Sequence, residues 1–144
     1  MALVLVVDDE PDLLALLLDQ VSSLGYDVVA ARDGTEGLRV AMDRRPDVIL
    51  TDVIMPYMDG PAMLERLRSS PDTREIPVIA LTALTDRRTR SRLSQLGVRS
   101  FLPKPYSMRE LGERIREALP PSTWGEPPTG AGKRPPSLPP RTRR

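Results

Sequence analysis

Cysteine and histidine are both absent from the 144 residues. Without cysteine there is neither a disulfide framework nor a thiolate metal site, and a reducing, cytosolic setting is the expectation. Without histidine, imidazole acid–base chemistry and imidazole metal ligation drop out as well. A glycine-rich loop that cradles phosphates is also missing, which excludes ATP hydrolysis by a P-loop. Long apolar runs are lacking too. Met1 to Val7 is apolar but too short for a signal-peptide core with its basic flank, and Asp8, Asp9 and Glu10 end it abruptly. Nothing approaches membrane-spanning length, so the expectation is a cytoplasmic protein with no membrane span.

Proline and positive charge are present but unevenly placed. Eight of the 16 prolines follow Leu119, and the same 25 residues hold Lys133, Arg134, Arg141, Arg143 and Arg144 against the single acid Glu126. The net charge of +1 therefore divides into +4 after Leu119 and −3 before it. So many prolines cannot support helix or sheet ladders, and the segment is expected to be disordered or partly polyproline II. The organisation expected is one folded domain over residues 1–119, a length that can bury a core without staples, and a Pro/Arg-rich tail over 120–144. The tail reads first as a solubilising linker and second as a basic binder of acidic partners, lipid or nucleic acid. Trp124 is its only large apolar residue and it has no helical period, so nucleic acid is not the expected partner.

Leu3 to Val7, Val28 to Ala31, Val48 to Leu50 and Val78 to Leu81 are short, mostly β-branched apolar runs, the pattern of strands buried on both faces. Ser100 to Leu102 is a weaker fifth. Helical spacing lies between them, in Leu14, Leu17, Val21 and Leu24, in Leu64 and Leu67, and in Leu111 and Ile115. Pro11 suits a first helical turn, Gly25 and Gly97 suit C-terminal caps, and Ser107 with Glu110 reads as a capping box. A fourth helix, roughly Asp86 to Leu96, has few apolar residues and four arginines (Arg87, Arg88, Arg90, Arg92). It is expected to be the least firmly packed, its arginines reading first as a solvated face. Five strands alternating with five helices imply an α/β fold: a doubly wound, five-stranded parallel sheet with helices on both faces. The flavodoxin-like strand order 2-1-3-4-5 is the one taken.

Ligands of such open sheets bind beyond the carboxyl ends of the strands. Asp8 and Asp9 follow the first strand, Asp52 ends the third, Thr82 ends the fourth and Lys104 follows the fifth. With the first and third strands adjacent, three carboxylates crowd together. Two carboxylates about 4 Å apart repel by roughly 4 kcal/mol at an effective dielectric of about 20, so three must take up protons or bind positive charge. Lys104 offers one charge; a hard divalent ion, Mg²⁺ or Mn²⁺, matches the remainder and accepts phosphate oxygens as further ligands. A carboxylate nucleophile steadied by metal and lysine fits Asp52 and Lys104. The Thr82 hydroxyl is placed to donate to a phosphoryl oxygen and draw its loop inward. Singly, each residue has an ordinary explanation. Asp8, Asp9 and Glu10 would cap a helix starting at Pro11, Asp52 would be a turn residue, Thr82 a satisfied hydroxyl and Lys104 a snorkelling side chain. Phe101, the sole phenylalanine, would be plain core. One mechanism accounts for all of them together.

At this point the residues resemble the receiver domains of two-component response regulators, over about residues 3 to 119. The most specific stretch is Asp52-Val53-Ile54-Met55-Pro56-Tyr57-Met58-Asp59-Gly60, similar to the family's phosphoacceptor strand and following turn. Val7-Asp8-Asp9-Glu10, Leu81-Thr82-Ala83 and Phe101-Leu102-Pro103-Lys104-Pro105 match in order. The resemblance implies that Asp52 is the phosphorylated residue, and that Asp8 and Asp9 form the acidic pair, Asp9 being the more direct metal ligand. The backbone carbonyl of Ile54 would complete the protein's ligands to Mg²⁺. Thr82 would be the switch hydroxyl, Lys104 the phosphate's cationic partner, and Phe101, three residues before the lysine, the switch aromatic in preference to Tyr106. A cis Lys104-Pro105 peptide is implied as well.

The resemblance further implies a stand-alone phosphoacceptor that assists its own phosphorylation and dephosphorylation, rather than an enzyme turning over other molecules. Its partners would be a sensor histidine kinase or phosphotransfer protein as donor and a downstream protein target. A homodimer through the face from the fourth to the fifth helix is one arrangement it allows. Ile54 and Leu84, two residues beyond Asp52 and Thr82, are apolar where the family controls water access, so slow hydrolysis is expected. Two other classes compete. An aspartate-dependent phosphatase of the haloacid dehalogenase class needs a second aspartate two residues on, which Asp52-Val53-Ile54 lacks. A phosphorylation-independent scaffold or binding module acting through the basic tail would leave binding intact in Asp52→Asn.

Overall fold

β-branched side chains restrict the backbone to extended conformations, and the runs rich in valine and isoleucine become strands. In the computed structural model, which describes residues 2–52, 60–82 and 87–119, four of them and the run Ser100–Pro103 form one parallel sheet. These are β1 (Leu3–Val7), β2 (Asp27–Ala31), β3 (Val48–Asp52), β4 (Val78–Thr82) and β5 (Ser100–Pro103), hydrogen-bonded in the order β2-β1-β3-β4-β5. The helices between and after them are α1 (Pro11–Ser23), α2 (Gly34–Arg44), α3 (Gly60–Arg68), α4 (Arg87–Gln95) and α5 (Met108–Ala118). Fold class and strand order are as read from the sequence. The strand ends differ. β2 starts one residue earlier than its apolar run, β3 and β4 continue into Thr51, Asp52 and Thr82, and β5 continues to Pro103. Ladder pairing is made by the backbone and is indifferent to side-chain polarity, so the last rungs are the polar residues at the sheet's carboxyl edge.

Alternation along the strands divides the apolar side chains into two cores. Val4, Val6, Val48, Leu50, Ile79, Leu81 and Leu102 face Leu14, Leu17 and Val21 of α1 and Leu111 and Ile115 of α5. Leu5, Val7, Ile49, Val78 and Ala80 face Ala41 of α2, Met63, Leu64 and Leu67 of α3, and Leu93 of α4. The helices read from Leu14, Leu17 and Val21, from Leu64 and Leu67, and from Leu111 and Ile115 bury those residues as the spacing requires.

Local chemistry sets the boundaries. Pro11 opens α1, Gly25 and Gly97 follow α1 and α4 at φ of 97° and 95°, and Ser107 with Glu110 forms both bonds of a capping box on α5. α2, whose apolar pattern is thin, is held by Asp33, which accepts from the Glu36 N–H at 2.8 Å. It also depends on Gly37, where an added Cβ would lie 2.9 Å from Met63 Sδ and 3.2 Å from Val7 Cγ2. The missing side chain lets α2 approach β1 and α3 this closely without displacing the Met63 thioether or Val7. Among the described side chains of α4, Leu93 alone is buried, in keeping with the expectation of the weakest packing. The tail over 120–144, Ile54, Leu84 and Asp86 lie outside the described residues.

Candidate functional site

The carboxyl edge of the sheet gathers the residues singled out in the sequence. Asp8 continues the β1–β2 ladder by one rung, its N–H donating to the Ala31 carbonyl at 3.1 Å, and its side chain is 1% exposed. Asp52 is the last residue of β3, paired with Leu81. Asp8, Asp9 and Asp52 each place a carboxylate oxygen within 4.8 Å of the others. Lys104 Nζ stands 3.8 Å from Asp52 Oδ2, and the Lys104 N–H donates to the Thr82 carbonyl at 2.9 Å. The Lys104-Pro105 peptide is cis.

Thr82 and Phe101 reach the same edge from the other side of the sheet. Asp52 shares its strand face with Val48 and Leu50, the face covered by α1 and α5. Thr82 shares its face with Val78 and Ala80, and Phe101 packs on the same core, beneath α3 and α4. The nucleophile candidate and the switch candidates therefore sit on opposite faces of the sheet, joined where β3, β4 and β5 end. Ile54, the remaining metal-ligand candidate, lies outside the described residues.

Capping does not explain the acidic cluster. Glu10 is the N-cap residue of α1 and makes no side-chain cap bond, while Asp8 Oδ1 accepts from the Glu10 N–H at 2.9 Å. Electrostatics set the character of the site. Burial, first, pushes the Asp8 carboxyl above its ordinary 3.8; the Glu10 N–H opposes the rise, the Asp52 and Asp9 carboxylates add to it, and Lys104 opposes it. At Asp8, burial and the neighbouring carboxylates thus outweigh the Glu10 N–H and Lys104. Three carboxylate oxygens within 4.8 Å of one another offer the hard oxygen donors that a magnesium ion takes. The donor set fits a hard divalent cation.

One consequence is measurable without any cation. In EDTA, Asp8→Asn is expected to raise the denaturation midpoint at neutral pH. A carboxyl whose folded pKa is raised costs the fold stability above that pKa and costs nothing below the unfolded value of 3.8. The advantage of the variant should therefore fade as pH falls towards that value. Urea titrations of both proteins at pH 7 and near pH 4 check this, and equal midpoints at pH 7 would show that the charge is borne without cost.

Sequence reasoning missed the supports. Thr51, buried at the end of β3, donates its hydroxyl to the Asp52 carbonyl at 2.8 Å. Tyr106 reaches Gln20 of α1 at 3.3 Å through its hydroxyl, and its pKa is raised by burial and then by the Asp8 charge. Arg90 stands over the Phe101 ring, 4.4 Å from its centroid. The signal for Arg90 was an arginine on a helix beside the single phenylalanine, too generic to single out.

A doubly wound α/β protein with an acidic, cation-seeking carboxyl edge is the class that fold and site define. The family model of the response regulator receiver domain matches residues 4–116, and the chain belongs to that family. It is 38% identical over 116 residues to a probable transcriptional regulator, ycf27, of Porphyridium aerugineum, a match covering 81% of this chain and 47% of that protein. The chain thus spans about half the length of that curated relative. The chemotaxis protein CheY4 of Vibrio cholerae superposes with a TM-score of 0.78 at 31% identity, over 83% of this chain and 99% of that one. The receiver domain of a sensor histidine kinase from Pseudomonas aeruginosa, solved with a magnesium ion coordinated in its active site cleft, gives 0.76 at 32% identity, over 81% and 96% of the two chains.

Proposed function

We propose that the chain is a two-component signalling switch that accepts a phosphoryl group on Asp52, with Mg²⁺ (or Mn²⁺) held by Asp8, Asp9, Asp52 and the Ile54 carbonyl. The observation that carries this reading is the meeting of three carboxylates within 4.8 Å with an ammonium 3.8 Å from Asp52. That arrangement supplies a nucleophile, a cation site and a counter-charge for the equatorial oxygens, which is most of what phosphoryl transfer requires of a protein. Thr82 would donate to the bound phosphoryl group, and Phe101 would turn as the end of β4 closes. The magnesium ion in the Pseudomonas kinase domain supports the choice of metal. The donor in this reading is a phosphohistidine of a sensor kinase or phosphotransfer protein, and the output is a changed contact with a target protein. Residues 1–119 are the switch and 120–144 an appended tail; none of the helices among the described residues is long and apolar enough to cross a membrane, in keeping with work in the cytoplasm.

The test is the intact mass of the whole chain after incubation with acetyl phosphate, in Mg²⁺ and in EDTA. A gain of one phosphoryl group in Mg²⁺ and none in EDTA is the expected result. No gain from a folded chain in Mg²⁺, or a gain indifferent to chelation, would overturn the reading.

A further inference from the structure

Phe101 is the one phenylalanine in the chain, and a cation faces its ring: the Arg90 guanidinium carbon of α4 lies 4.4 Å from the ring centroid. The backbone beneath the ring is held from two sides. Phe101 pairs with Ala80 in the β4–β5 ladder, and its carbonyl accepts from Arg114 Nε of α5 at 3.3 Å. Any change in the ring's position must therefore come from its own side-chain torsions. The ring is half-buried, with the core beneath α3 and α4 on one side and the guanidinium on its face. Thr82 lies two residues beyond Ala80 on the neighbouring strand, so it shares the ring's face of the sheet.

α4 is attached through several described side chains. Its arginine-rich sequence buries Leu93 among the described side chains, and Arg92 pairs with Glu65 of α3 at 2.8 Å. Both partners of that ion pair are more than half exposed, the setting in which such pairs contribute little. The guanidinium on the Phe101 ring is one described contact of α4, beside the buried Leu93.

We propose that Arg90 is a positioning residue for the phosphoacceptor switch: its guanidinium holds the Phe101 ring on α4, and a ring that turns towards Thr82 has to leave it. This rests on the phosphoacceptor reading above. The same event that moves the ring then frees α4 of that contact, which ties the helix to the state of Asp52. A contact between a cation and an aromatic face at a partly exposed site biases a two-state equilibrium by about two- to fivefold, and its loss shifts the population by that factor.

The single phenylalanine makes the test direct. The full chain, isotope-labelled at phenylalanine, gives one ring spin system, to be compared in wild type, Arg90→Met and Arg90→Lys, with and without acetyl phosphate and Mg²⁺. Methionine keeps an unbranched stem without the charge, whereas lysine keeps a cation. In Arg90→Met without donor, the ring signals should move towards the positions they reach in phosphorylated wild type. Its phosphoryl gain should be about two- to fivefold faster, with Arg90→Lys between Arg90→Met and wild type in both. Unchanged ring signals in Arg90→Met, equal changes in both variants, or a moved ring with an unaltered rate would each overturn the proposal. A wild type that takes no phosphoryl group would instead sink the phosphoacceptor reading and the coupling with it, while the donor-free spectra would still decide whether the charge holds the ring.

Discussion

Asp52→Asn should take the phosphoryl gain from one group per chain to none, in Mg²⁺ and with the fold intact. The amide matches the carboxylate in shape but has no charge to attack phosphorus and is a poor oxygen donor to a hard cation, so nucleophile and metal site fail together. Asp8 is no ready substitute. It is 1% exposed, with Oδ1 committed to the Glu10 N–H, whereas Asp52 is reachable and faces Lys104. Loss of folding is not the cause to expect, since the variant removes one of the charges that push up the Asp8 carboxyl. Its denaturation midpoint in EDTA should be equal to or above that of wild type. Intact mass after acetyl phosphate, read beside a urea titration, separates the two effects. A folded variant that still gains one phosphoryl group would move the acceptor to another residue and end the assignment of Asp52.

What makes this prediction specific was largely legible in the residues. Asp8, Asp9, Asp52, Thr82 and Lys104 each follow or end an apolar run, and a parallel sheet brings all such ends to one edge. Their convergence needed only the strand order. The division of the site between two sheet faces was not legible, because it depends on which parity of each strand faces which helix pair. Val48 to Leu50, apolar at every position, gives no hint of facing. α2 was read only as one of five helices. Its attachment rests on the missing side chain of Gly37, a contact between residues distant in sequence that no periodicity reports. Arg90 and Arg68 were invisible for a related reason. An arginine in a surface helix looks the same whether it meets water, a ring or a set of carbonyls.

Arg68 illustrates the last case and carries a large stability effect for a residue away from both the acidic edge and the apolar core. It ends α3, and its guanidinium donates through Nε to the Leu96 carbonyl at 3.0 Å and through Nη1 to the Arg74 and Ile76 carbonyls, both at 2.8 Å. Those carbonyls belong to the connection after α4 and the connection before β4, so one side chain ties together two loops at the amino end of the sheet. Gly97, at φ of 95°, makes room for it: a Cβ there would lie 3.1 Å from Arg68 Nε. Burial lowers the Arg68 pKa, yet arginine stays charged well above neutral pH, so the bonds are charge-assisted throughout the working range. Replacing the side chain in Arg68→Met leaves three carbonyls to find water. At about 1–3 kcal/mol for each fully buried orphan, and with water able to reach part of this region, a total loss of roughly 2–4 kcal/mol is expected. With a urea slope of about 2 kcal/mol per molar, the midpoint should fall by roughly 1–2 M. Arg68→Lys should recover little, since a single ammonium cannot present the planar fork that bridges both loops. A fall of less than about 0.5 kcal/mol in Arg68→Met would mean that water replaces the guanidinium without penalty, and that the two connections are held by Leu67, Ile76, Leu93 and Val98 in the core beneath them.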